Sequence, residues 1–171
     1  MKKFLTPVML LLLSFAPKID DLQYVSLMEK VTIGLPGVAN EDNSKGIPMQ
    51  KVVMDDGTEF NAFAMDYSKF GMSEDMLQAM AGTDEFKTQM ESMMTMQQGV
   101  KLLKNETGKY NDKYTCYDIT LDVDKDGYKG TMYQKMVFYK QYGITLIYMP
   151  GKKGMNAELR DHVFNSLKIE Q

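Results

Sequence analysis

The stretch YTCYDITLDVDKDGYKGTMYQKMVFYKQYGITLIYM, Tyr114 to Met149, decides the fold. Thr115, Tyr117, Ile119, Leu121 and Val123 alternate with Tyr114, Cys116, Asp118, Thr120 and Asp122, the period-two pattern of a strand with one buried face. A second run, Gly130 to Tyr139, is rich in Met, Val, Phe and Tyr, and a third, Ile144 to Met149, follows Gln141-Tyr142-Gly143. Links this short cannot make the crossover that parallel strands need, so the three runs form an antiparallel meander.

Working outward toward the N-terminus, Leu22 to Leu35 reads as one or two strands closing at Pro36-Gly37. Asn40–Gly46 is wholly polar and reads as a surface loop. Ile47–Met54 and Thr58–Met65 form a hairpin around Asp56-Gly57, where glycine accepts the positive φ of a tight turn. From Ser73 to Gln98 β-branched residues nearly vanish, and Met, Gln, Glu and Ala predict two helices. Ser73 and Thr83 are their N-caps, acids crowd both first turns, and Gly82 and Gly99 end them. In the second helix Phe86, Met90, Met93, Met94 and Gln97 fall on one stripe, suited to lie on a sheet.

Val100–Asn105 is a further strand and Glu106–Lys113 a turn-rich link. After Met149 come Pro150-Gly151-Lys152-Lys153-Gly154, a helix to about Ser166 with Leu159, Val163 and Leu167 on one face, and a short extended tail. The class is α+β.

Composition bounds the function. The 171 residues carry 20 basic and 23 acidic side chains, a net charge of −3, with no long run of one sign. Nucleic acid is therefore not an expected partner, because phosphate neutralisation needs a clustered basic face. The single cysteine, Cys116, permits no internal disulfide and reads as a small buried hydrophobe. Lys2 and Lys3 precede an apolar run from Phe4 to Phe15 and the small residues Ser14 and Ala16, the layout of a signal peptide over residues 1–16. Pro17 is a poor context for cleavage after Ala16, and the apolar run is shorter than the roughly 20 residues of a membrane span. Residues 17–171 then form one globular domain, exported to the periplasm or beyond, with no stable span after the signal is removed.

Three features could carry chemistry. Asp122-Val123-Asp124-Lys125-Asp126-Gly127 copies the opening of a calcium loop, with Asp122, Asp124 and Asp126 as alternate carboxylates. Tyr133 stands where the bidentate glutamate belongs and Lys125 sits among the acids, so a hairpin turn on Asp-Gly explains the same residues. Methionine is the second feature: there are 17, and Met90, Met93, Met94 and Met96 share one helix. Thioethers suit Cu(I), yet helical spacing also makes them ordinary core residues. The third, Gly151-Lys152-Lys153-Gly154 before a helix, could cradle an anion or be a solvated link. No zinc spacing, nucleophile elbow, phosphate loop or dinucleotide fingerprint is present, and the lone His162 lies on a charged helix, so no catalytic residue and no cofactor is expected.

The element order, with Ile33-Gly34-Leu35-Pro36-Gly37 early and Phe164-Asn165-Ser166-Leu167-Lys168-Ile169 at the close, resembles the PsbP-like group of small exported domains. In that group an early strand running into Leu-Pro and a closing Phe-x-Ser-Phe-Lys recur, and Leu167 stands here where the ending usually has Phe. The resemblance covers about residues 22–170. It implies an α/β/α sandwich with a central antiparallel sheet. Members include photosystem II extrinsic subunits, a Ran-binding import factor and bacterial envelope proteins, mostly binding or scaffolding modules, and no functional residue carries over individually. The expectation is thus a non-catalytic envelope protein with a protein partner; the alternative is a soft-metal or apolar-ligand carrier using the Met-rich segment 72–98. Neither the partner nor the oligomeric state follows from the sequence.

Overall fold

The computed structural model describes residues 21–44 and 46–170; the signal segment expected over residues 1–16 lies outside the described residues. The meander is present as β7 (Tyr114–Lys125), β8 (Tyr128–Tyr139) and β9 (Tyr142–Met149), antiparallel throughout. These strands sit in a seven-stranded sheet of order β3-β4-β5-β9-β8-β7-β6, with β3 (Asn40–Asp42), β4 (Met49–Val53) and β5 (Glu59–Asp66) on one side and β6 (Val100–Tyr110) at the far edge. A smaller sheet of order β1-β2-β10 joins β1 (Gln23–Met28), β2 (Val31–Leu35) and the two-residue β10 (Lys168–Ile169).

Period-two alternation sends the side chains of β7 into two cores. Tyr117, Ile119, Leu121 and Val123 join one core, built with Leu77, Ala81, Phe86 and Met90 of the helices α1 (Glu74–Met80) and α2 (Asp84–Thr95). Cys116, with Val137, Ile144, Leu146 and Tyr148 of the neighbouring strands, faces the other. That second core is closed by Val31, Ile33 and Leu35 of β2 and by Leu159, Val163 and Phe164 of α3 (Ala157–Asn165). Each face of the sheet carries an apolar core, as the α/β/α expectation requires, but the α3 layer is shared with the small sheet.

The Ser73 and Thr83 caps fall where the sequence puts them, and the structure adds Asn156 as the cap of α3. Ser73, Thr83 and Asn156 side chains accept from the backbone N–H groups of Met76, Phe86 and Leu159, and acids occupy each first turn. Gly99, with φ +81°, links α2 to β6 so tightly that a Cβ there would overlap the Asp124 carbonyl, and its own carbonyl accepts from Asp124 N at 2.7 Å.

Two expectations are corrected. Glu106–Lys113 is not a link: β6 runs on to Tyr110, paired residue by residue from Glu106↔Asp118 to Tyr110↔Tyr114, and the turn is confined to Asn111–Lys113. Its polar composition reflects a largely exposed edge strand. Within Asn40–Gly46, Asn40–Asp42 forms β3 through pairing with β4, which local composition cannot reveal.

Candidate functional site

The four methionines divide between core and solvent. Met90 is 5% exposed in the α1–α2 core and Met94 packs half-buried against the same core, whereas Met93 is 59% and Met96 80% exposed. The buried row is the i, i+4, i+8 ladder Phe86–Met90–Met94, narrower than the sequence stripe. Met93 lies on its flank and Gln97 lies past the last turn, so both stay in solvent. Met93 and Met96 share a shallow groove with Gln89, Ser92, Glu85 and Asp84. Nearby in sequence, Phe70 of the single turn Tyr67–Phe70 and Met76 of α1 are also exposed, at 68% and 51%.

Asp122, Asp124 and Asp126 stand in a hairpin. Asp122 and Asp124 belong to β7, opposite Thr131 and Lys129 of β8, and Asp126-Gly127 make the turn with φ of 54° and 81°. Positive φ at both central residues is the type I′ signature that Asp-Gly supplies. Lys129 Nζ meets Asp124 Oδ2 at 2.7 Å, and this hydrogen bond holds the lysine above its ordinary pKa. Among the described residues, no three His, Cys, Asp or Glu side chains gather as metal ligands would.

The Gly151–Gly154 segment is a tightly built link. A Cβ on Gly151 would strike the backbone of Asp56, Gly57 and Thr58, and Lys152 N donates to the Asp56 carbonyl at 2.8 Å. The Thr58 backbone N–H donates to Asp56 Oδ1 at 2.9 Å, and that bond, with the Thr58 hydroxyl, holds the Asp56 carboxyl below its usual range. Lys153 lines a groove with Asp21, Asp56, Glu158, Met54 and Met155; three carboxylates around one lysine do not suit an anion.

Cys116 is buried, and desolvation pushes its thiol pKa up, the opposite of an activated nucleophile. What sequence reading missed is a charged cleft where α3 overhangs β6, β7 and β8, lined by Lys104, Glu106, Asp118, Lys135, Arg160 and Asp161. A short segment of β6 read as a link hid it. The signal available was the run Lys104-Asn105-Glu106 facing Asp118, visible only once β6 is paired.

The two stretches that carried the resemblance meet in space. Gly34 N donates to Ser166 Oγ at 2.9 Å, the Ser166 hydroxyl is in turn within reach of the Gly34 carbonyl, and β10 pairs Lys168 with Thr32 and Ile169 with Val31.

No protein-family model matches the chain, and no curated protein matches it. Among solved structures it is similar to cyanobacterial PsbP (CyanoP) from Synechocystis sp. PCC 6803, with a TM-score of 0.58 at 12% identity, over 87% of this chain and 92% of that one. At that identity the likeness is one of architecture, and the chain has a PsbP-like α+β fold.

Proposed function

We propose that this chain is an exported, non-catalytic binding module of the bacterial cell envelope, and that the outer surface of the α1–α2 layer engages a protein partner. The observation that carries the reading is the exposure of Met76, Met93 and Met96 along α1 and α2, whose inward residues Leu77, Phe86 and Met90 already fill the core. These side chains keep half or more of their surface in solvent and so contribute little to the packing of the fold. Flexible, polarizable methionine suits a surface that must conform to another protein. Export rests on Lys2, Lys3 and the Phe4–Phe15 run, and among the described residues no helix is long and apolar enough to cross a membrane.

The i, i+3 spacing of the exposed Met93 and Met96 favours a second reading, in which the pair contributes thioethers to Cu(I). One experiment separates them. A photo-crosslinker at Ser92 in the full chain, irradiated in envelope preparations, should give a discrete adduct that disappears when Met93→Ser and Met96→Ser are added. An adduct indifferent to those changes would sink the partner reading. Methionine-methyl NMR shifts confined to Met93 and Met96 on adding Cu(I) would favour metal handling instead.

A further inference from the structure

The cleft beside α3 is built by three neighbouring strands whose polar side chains align in rows. Glu106 lies opposite Asp118, and Asp118 opposite Lys135; two residues along, Lys104, Thr120 and Tyr133 form the adjacent row on the same face. Arg160, Asp161, Phe164 and Asn165 of α3 complete a cleft of about 310 Å³. That volume is at the lower end of small-molecule sites, roughly 300 Å³ and upward.

A β-bulge puts the charges there. Leu102 pairs with Leu121, which faces the α2 core, so strict alternation would turn Lys104 and Glu106 toward α2 as well. The register shifts between Leu102 and Lys104, with Leu103 as the extra residue. After it, Asn105 faces α2, where its amide nitrogen donates to Glu91 Oε1 at 2.8 Å, and Lys104 and Glu106 line the cleft. Bulges commonly re-aim side chains beside functional sites.

The charges form three pairs: Lys104–Glu106 at 2.8 Å, Lys135–Asp118 at 2.6 Å and Arg160 Nη2–Asp161 at 2.6 Å. The Lys135 side chain is only 13% exposed, and the Arg160 guanidinium stacks over the Tyr133 ring at 5.0 Å. Arg160 spends Nε and Nη2 on one oxygen of Asp161, leaving part of its five-donor fork for another acceptor. Glu106 directly opposite Asp118 is a like-charge cross-strand pair, which by itself disfavours the sheet.

The cleft is thus electroneutral but charge-separated. A lone anion drawing on Lys135 would strand Asp118 beside Glu106, and a lone cation on the two carboxylates would strand the lysines. A ligand carrying both charges offers a partner to the acidic and the basic side chains at once. We propose that the cleft binds a small zwitterion, a free amino acid or a dipeptide. Its ammonium sits between Glu106 and Asp118, its carboxylate on Arg160 and Lys135, and its side chain against Phe164 and Tyr133. This site lies on the opposite side of the sheet from the surface proposed above and stands independently of it.

The test is a backbone-amide NMR titration of the full chain with L-phenylalanine and with glycyl-L-phenylalanine. N-acetyl-phenylalanine and phenylalanine amide serve as single-charge arms. Saturable shifts at Asp118, Thr120, Lys135, Arg160 and Asp161 are expected with at least one zwitterion, and whichever of the two binds identifies the source. Each single-charge analogue should bind about tenfold or more weakly. Asp118→Asn and Arg160→Gln should each lose about tenfold in affinity. Both change side chains outside the apolar cores, and Asp124→Asn, in the hairpin, should change nothing. Absence of saturable shifts with both zwitterions, equal binding of the acetylated anion, or indifference to both cleft variants would overturn the assignment.

Discussion

Tyr110 shows how a single side chain can tie two layers together. Its hydroxyl donates to the Leu167 carbonyl at 2.8 Å, joining the end of β6 to the segment after α3. Burial, with the neighbouring Cys116 as a smaller contribution, pushes its phenol up to about 12. A pKa raised above the unfolded value of about 10 means that the neutral phenol is favoured in the native state, so its contribution is complete below about pH 10 and is lost as pH rises through about 12. Burial also raises Tyr67, Tyr117, Tyr128 and Tyr148, so alkaline titration followed by tyrosinate absorbance should show several late-titrating phenols, one of which Tyr110→Phe removes. The same substitution leaves the buried Leu167 carbonyl without its donor and should cost about 1–3 kcal/mol in urea unfolding. A cost near zero would mean that another donor replaces it.

At the level of the element, α2 divides its methionines by position. Met90→Ala and Phe86→Ala each empty a site in the core shared with Tyr117, Ile119 and Phe138, and each should destabilise by about 2–5 kcal/mol. Met93→Ala and Met96→Ala remove solvent-exposed side chains and should fall within about 0.5 kcal/mol of the parent. Denaturant unfolding of the four variants measures both classes, and a large loss at Met96 would contradict its exposure. Composition foretold the helix and its caps, since Thr83 and the acids after it act within one turn. It could not foretell which flank is buried, because the width of the buried strip depends on the strands beneath. The β7–β8 hairpin behaves in the opposite way: Asp126-Gly127 sets its own backbone, and the turn chemistry was legible without any tertiary partner. Addition of Ca²⁺ at millimolar concentration should leave the amide shifts of Asp122, Asp124 and Asp126 in place; a saturable movement there would revive the calcium reading.

Across the whole molecule, closure depends on chain segments that are far apart in sequence. Ser166 bridges the end of α3 to Gly34, where a side chain would collide with Leu22 and Ser166, and β10 adds a third strand beside β2. Ser166→Ala should remove the acceptor for Gly34 N and accelerate hydrogen exchange along Val31–Leu35, leaving the β7–β9 meander protected. Uniform acceleration in both sheets would mean that they open as one unit. The sequence by itself determined the meander, the Asp56-Gly57 and Asp126-Gly127 turns, the Ser73 and Thr83 caps and the α+β class, because each arises from alternation, positive-φ residues or capping side chains acting within a few positions. Only the tertiary structure decided the length of β6, the existence of β3, the split of Met90 from Met93 and Met96, and the convergence of Lys104, Glu106, Asp118, Lys135 and Arg160 on one cleft. Those features depend on strand register and on which layer lies above each face, and a one-residue bulge at Leu103 is enough to exchange the faces to which every later side chain of β6 belongs.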